Sequence, residues 1–222
     1  FKEVLEIAKR FLEEGADAID VGCLASEPNP RRAAELVRRL REALPCPICV
    51  DTGDIDEAVE AALAGADVVL SIGPDRAKRI PSALLRKAIV ITPVDGLSEE
   101  PPPTPEEAVS ILAEAVEAAR SQGAKAVLAD PLTKPPCMGL ADSIVAYHLA
   151  RSALPDTPLL MGFQNVTELV DADSIGANAL LASLACELGV SAVLTAEASP
   201  KTRGCVGEVR IALEMAALAK AW

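Results

Sequence analysis

Aromatic side chains are nearly missing from this 222-residue chain: three Phe, one Tyr and one Trp make up 2% of it. A core built on rings is thereby excluded, and Ala, Val, Leu and Ile must fill the interior. Histidine occurs once, as His148, so no His cluster is available to hold zinc. Positive charge is also short, with 21 Lys and Arg against 33 Asp and Glu and a formal net charge of −12. That balance argues against nucleic-acid binding, which needs clustered bases to neutralise phosphates. It equally argues against docking on an anionic membrane surface. No run approaches the roughly 18 uninterrupted apolar residues of a membrane span. No signal peptide and no Gly-rich loop of the P-loop or dinucleotide type can be found. The six cysteines, Cys23, Cys46, Cys49, Cys137, Cys186 and Cys205, are scattered. A chain of this size does not need disulfides, and a reducing cytoplasm is the expected setting.

What the chain does have is a cadence repeated four times. Gly15-Ala16-Asp17 leads into Ala18-Ile19-Asp20-Val21-Gly22, and Gly65-Ala66-Asp67 into Val68-Val69-Leu70-Ser71. Gly123-Ala124-Lys125 leads into Ala126-Val127-Leu128-Ala129-Asp130, and Gly189-Val190-Ser191 into Ala192-Val193-Leu194-Thr195. Gly suits the left-handed turn that ends a helix. A short, nearly continuous apolar run reads as a parallel strand covered on both faces. The pattern predicts an α/β fold, a (β/α)8 TIM barrel, with its chemistry at the polar residues that close the strands.

About seven strands and eight helices can be read. The first element is an amphipathic helix carrying Val4, Leu5, Ile7, Ala8, Phe11 and Leu12 at helical spacing. A closed eight-stranded barrel would want one more strand before Phe1. The expectation is therefore one barrel domain over residues 1–222, lacking its first strand and belonging to a longer protein. A weak helix is expected at 76–85 and an extended loop at 93–105, where Gly96, Pro101, Pro102 and Pro103 fall. Thr104 with Glu107 three residues later predicts a helix start, and Asp173 is the expected cap of the helix that follows it.

The strand ends offer Asp20, Asp51, Ser71, Asp95, Asp130, Asn165 and Glu197. Each alone has a competing role as a helix cap or a loop brace; as a set converging on one mouth they suit a polar ligand. Asp51 and Asp130 lead the set, because a carboxylate can accept two N–H bonds from an amino-pyrimidine edge, as it does from a guanidinium. Gln164 and Asn165 add amide donors and acceptors after Gly162. Lys201 and Arg203 lie in the last strand-to-helix loop, where bases beside a helix N-terminus suit a phosphate or carboxylate; two solvated bases are the alternative. Cys46 and Cys49 have redox-motif spacing but read as structural, and His148, beside Tyr147 within a helix, reads as a surface or packing residue. No metal site is expected.

The strings Gly15-Ala-Asp-Ala-Ile-Asp-Val-Gly22, Pro47-Ile-Cys-Val-Asp-Thr52, Gly65-Ala-Asp-Val-Val-Leu-Ser-Ile72 and Leu128-Ala-Asp-Pro131 resemble the pterin-binding barrels, dihydropteroate synthase above all. The likeness covers nearly the whole chain. Residues 161–178 and 195–210 look closer to the dihydropteroate synthase-related proteins of methanogenic archaea and methylotrophic bacteria, which are longer chains. The resemblance implies a mouth that grips a pterin, with Asp20, Asp51 and Asp130 matching the family's acids, and Ser71, Gln164, Asn165, Lys201 and Arg203 completing the candidate substrate site. No catalytic residue is assigned. Where the synthases carry Asn-Asp-Ile this chain has Leu70-Ser71-Ile72, and where they carry Ser-Arg-Lys it has Gln164-Asn165-Val166. Their Thr-Arg-Pro appears as Ser26-Glu27-Pro28, and the Arg of their last strand is Thr195.

The implied activity is a transferase of folate or tetrahydromethanopterin biosynthesis, joining a pterin methyl diphosphate to an arylamine. Asp51 and Asp130 would hold the ring, Asn165 its carbonyl edge, and Lys201 or Arg203 the anion. The resemblance leaves room for a Mg ion accompanying the diphosphate and for a homodimer. Two alternatives stand beside it: a methyltransferase passing a methyl group from a pterin to a corrinoid partner, and a non-catalytic pterin-binding or assembly subunit.

Overall fold

The computed structural model describes residues 1–96 and 102–221. Seven parallel strands alternate with helices. They are β1 (Ile19–Gly22), β2 (Ile48–Asp51), β3 (Val68–Ile72), β4 (Ala88–Ile91), β5 (Ala126–Ala129), β6 (Leu160–Gly162) and β7 (Ala192–Leu194). The helices are α1 (Lys2–Glu13), α2 (Pro30–Ala43), α3 (Ile55–Ala64), α4 (Pro74–Ala77), α5 (Pro105–Ser121), α6 (Leu140–Ala153), α7 (Gln164–Thr167), α8 (Ser174–Glu187) and α9 (Cys205–Lys220). Strands β1 to β5 pair in sequence order, β6 pairs with β7, and a single bridge from Ala129 to Leu159 joins the two groups. This is the strand order of a TIM barrel. Among the described residues β1 and β7 are not hydrogen-bonded to each other and stand as the two edges.

The four glycines of the repeated cadence, Gly15, Gly65, Gly123 and Gly189, all have positive φ. Each ends a helix in the left-handed conformation that costs a residue with a Cβ about 1 kcal/mol or more. The helix starts follow side-chain chemistry. Asn29 accepts from the Arg32 N–H, Asp54 from Asp56 and Glu57, Thr104 from Glu107, and Asp173 from Ile175. Each such cap is worth about 1 kcal/mol.

Alternation along the strands separates two cores. Ile19, Val21, Ile48, Val50, Val69, Ile89, Ile91 and Met161 face outward and pack against the helices, with Val37, Leu40 and Leu112 fully buried over them. Burying a side chain of this kind stabilises by roughly 1.5–3 kcal/mol. The complementary positions fill the lumen: Leu70, Val90 and Leu160, flanked by Cys49, Val68, Leu128, Ala192 and Leu194. The lumen is thus packed largely with apolar side chains.

Two expectations need correction. The helix expected at 76–85 stops at Ala77 and gives way to turns, because Pro81 disfavours a helical residue before it and lacks the N–H a continuing helix would use. Asn165, expected at a strand end, lies instead with Gln164 in the four-residue helix α7. The extended loop expected at 93–105 includes residues 97–101, which lie outside the described residues.

Candidate functional site

The register of β1 on β2 sets two levels of acids. Asp20 pairs with Cys49, and Gly22 pairs with Asp51. Cys49 borders the lumen and Ile19 and Val21 face the helices, so Asp20 points into the barrel one layer below Asp51. Asp20 Oδ1 is buried without a hydrogen-bond partner. Burial, reinforced by the nearby Asp51 carboxylate and opposed by the Val21 N–H, pushes the Asp20 carboxyl up to about 7.

Asp51 ends β2. Its Oδ1 accepts the Ser71 hydroxyl at 2.6 Å. Ser71 reaches it because β3 bulges: the pairing with β4 shifts between Val69 and Ile72, and Ser71 takes φ 64°. A non-Gly residue held in this region stores strain of about 1 kcal/mol or more, and such residues gather at functional sites. Leu132, φ 71°, is a second case. It forms the elbow after β5 in which its own N–H donates to Asp130 Oδ1 at 2.8 Å.

Asp130 is buried at the top of β5. Besides Leu132, the Tyr147 hydroxyl donates to Oδ1 at 2.6 Å. Burial pushes this carboxyl up to about 6, with the two hydrogen bonds pulling down and Asp51 pushing up. Asp51 lies near enough to both other acids to raise each. Tyr147 comes from α6, whose inner face is Ser143, Ala146, Tyr147 and Ala150. It is fully buried, and burial followed by the Asp130 charge raises its own pKa, so it remains a hydroxyl donor. It was not singled out by its residue type; the helical spacing of its neighbours was the available signal.

Asn165 and Gln164 crowd over Gly162. A Cβ there would sit 3.2 Å from either Gln164 amide atom and 3.4 Å from Asn165 Nδ2. Asn165 Nδ2 donates to the Thr133 carbonyl at 3.0 Å, and Thr133 Oγ1 lies 3.3 Å from the Tyr147 hydroxyl. Gln164 Oε1 is buried without a partner. Thr195 Oγ1, just past β7, is another such atom. Each unpaired buried group costs about 1–3 kcal/mol, and such atoms on β1, on α7 and just past β7 suit a polar ligand.

The other sequence candidates are placed differently. Asp95 accepts from the Asp75 and Arg76 N–H groups at 2.8 and 3.2 Å and so caps α4. Lys201 donates its ammonium to the Val170 carbonyl, and Arg203 is exposed. Glu197 Oε1 accepts from Gly204 N at 2.9 Å and Val206 N at 3.4 Å, and Oε2 from Arg10 at 2.8 Å. Glu57, not anticipated, is buried and ties two mouth loops together, accepting from Asn29 N and the Thr52 hydroxyl.

All six cysteines are free. Burial, then nearby carboxylates, pushes Cys23 up to about 12, and burial, then Asp20, does the same for Cys49; both stay thiols and are poor nucleophiles. Among the described residues no group of three His, Cys, Asp or Glu side chains is arranged to hold a metal ion. No helix there is long and apolar enough to cross a membrane.

Against known proteins, residues 1–195 match the pterin binding enzyme family. The chain is 34% identical over 224 residues to an uncharacterized protein, MJ0107, of Methanocaldococcus jannaschii, covering 99% of this chain and 42% of that protein. It thus spans less than half the length of this curated relative. Among solved structures, dihydropteroate synthase of Yersinia pestis, with a pterine-sulfa conjugate, superimposes with TM-score 0.77 at 18% identity, over 100% of this chain and 90% of that one. The Xanthomonas albilineans dihydropteroate synthase, in complex with 7,8-dihydropteroate, gives TM-score 0.72 at 23% identity, over 100% and 88%. The likeness to these structures establishes the barrel, and the family match over residues 1–195 establishes that the chain belongs to the pterin-binding enzymes.

Proposed function

We propose that the barrel mouth holds the amino-pyrimidinone edge of a pterin and that the protein is a transferase acting at a carbon carried by that ring. The carrying observation is the acid triplet. Asp51 and Asp130 each have one oxygen engaged by the protein, and none of the hydrogen bonds among the described residues uses the other. Asp20 below them has Oδ1 unpaired. A ring bearing an exocyclic amine and a ring N–H supplies the donors that such carboxylates lack. Ser71 and Tyr147 orient the acceptors in advance, which lowers the ordering cost of binding.

Two reactions are compatible with such a grip. In the synthase-type condensation, an arylamine nitrogen bonds to the pterin methylene carbon, the diphosphate leaves with the C–O electron pair, and the amine loses a proton. That step needs cations or free N–H groups for the leaving group. In the second reading a methyl group on the pterin passes to a nucleophilic partner such as a corrinoid, and no diphosphate is involved. The engagement of Lys201 with Val170 and of the α9 N-terminus with Glu197 favours the second. Neither needs a histidine at the mouth; positioning supplies much of the rate.

Calorimetry with a reduced 6-hydroxymethylpterin tests the ring-binding reading. Binding to the wild type, lost by more than tenfold in Asp51→Asn combined with Asp130→Asn, is the expected result. No binding to the folded full-length protein refutes it.

A further inference from the structure

The segment between β7 and α9 lies where barrels commonly meet an anion, at a loop leading into a helix N-terminus. Here several of its donors are taken by the chain's own carboxylates. Glu197, with only 3% of its side chain exposed, lies over the start of α9, a 16-residue helix. One of its oxygens accepts the Gly204 and Val206 N–H groups and the other accepts Arg10 from α1. Glu168, just past α7, accepts from Ala198 N and the Thr202 hydroxyl, both at 2.7 Å. Burial pushes the Glu168 carboxyl up, but hydrogen bonds from Thr202, Ser199 and Ala198 outweigh it and leave its pKa lowered, so it stays ionised. The Lys201 ammonium is directed at the Val170 carbonyl.

A diphosphate arriving here would meet the Glu168 carboxylate and the Arg10-paired Glu197 carboxylate, with the Gly204 and Val206 N–H groups already taken by Glu197. Carboxylates there repel a phosphate, and the Gly204 and Val206 N–H groups that would offset this are already used by Glu197. We propose that Glu197 is a specificity-determining residue: it fills the anion position at the α9 N-terminus with a protein carboxylate and restricts the mouth to pterins whose side chain carries no phosphate. This rests on the ring-binding reading above and narrows its substrate class to uncharged substituents, such as a methyl or hydroxymethyl group.

The test uses the full-length protein and three probes: a reduced 6-hydroxymethylpterin, its diphosphate, and inorganic pyrophosphate. Calorimetry on the wild type is expected to give the hydroxymethyl form at least as tight as the diphosphate and no pyrophosphate binding. Glu197→Ala vacates the site and is expected to improve diphosphate affinity at least tenfold, leaving the hydroxymethyl form within threefold. Glu197→Gln keeps an acceptor for Gly204 while removing the charge, and is expected to fall between the two.

Tenfold tighter binding of the diphosphate than of the hydroxymethyl form by the wild type overturns the proposal, whether or not the variants fold. So does an unchanged diphosphate preference in folded Glu197→Ala and Glu197→Gln. If no pterin binds the wild type, the ring-binding reading fails. The pyrophosphate arm then decides the Glu197 assignment separately: new pyrophosphate binding in Glu197→Ala upholds it, and none overturns it.

Discussion

Replacing Asp20 by asparagine should make the protein more stable at pH 8 and leave it nearly unchanged at pH 4. In the folded chain the Asp20 carboxyl is pushed from 3.8 up to about 7, by burial first and by Asp51 second. In the unfolded chain it titrates at its ordinary value. Between about pH 4 and 7 the native state therefore holds a proton that the unfolded state has released. Stability falls as pH rises through that window and levels off above it. A displacement of about three units corresponds to at most about 4 kcal/mol at pH 8. Asparagine has nearly the same shape and no charge to desolvate, so it removes this loss. Asp130, pushed up to about 6, adds its own decline, but that is present in both proteins and cancels in the comparison. Urea denaturation at pH 4 and pH 8 reads the effect. The variant should gain roughly 2–4 kcal/mol over the wild type at pH 8 and less than about 1 kcal/mol at pH 4. A gain of the same size at both pH values would show that Asp20 is not a buried acid of raised pKa. The same variant should bind a pterin more weakly, because stability at this position is given up for an acceptor atom.

Further expectations concern the neighbours of that acid. Tyr147→Phe removes the 2.6 Å donor to Asp130 Oδ1 and should cost about 1–3 kcal/mol in denaturant unfolding; because that bond pulls the Asp130 pKa down, carboxyl titration followed by NMR should show it moving higher. Pterin affinity should fall as pH drops from 7 to 5, since Asp20 and Asp130 take up protons at about 7 and about 6 and cease to be two-lone-pair acceptors; an affinity flat across this range by calorimetry would count against both as ring ligands. Gly73→Ala should destabilise by about 1–3 kcal/mol, because a Cβ there collides with the Val94 and Asp95 backbone; a thermal melt unchanged from wild type would contradict that packing.

The features legible from the residues alone are those that depend on a few consecutive positions. The left-handed glycines at 15, 65, 123 and 189, the caps at Thr104 and Asp173, and the apolar runs that become β3, β5 and β7 are local, and each appeared where its residues predicted. Their alternation with helices fixed the barrel class, and with it the face on which Asp20, Asp51 and Asp130 would gather. Which side chain meets which depends instead on long-range packing. The depth of Asp20 below Asp51 follows from the register of β1 on β2, and the turn of Ser71 onto Asp51 from a bulge in β3. The reach of Tyr147 to Asp130 spans a loop and a helix. Asp95 and Glu197, equal to the other acids as letters at strand ends, cap helices instead. A carboxylate's role is set by the donors packing brings to it, and those from Ser71 to Asp51, Tyr147 to Asp130 and Arg10 to Glu197 come from beyond the range over which local sequence patterns act.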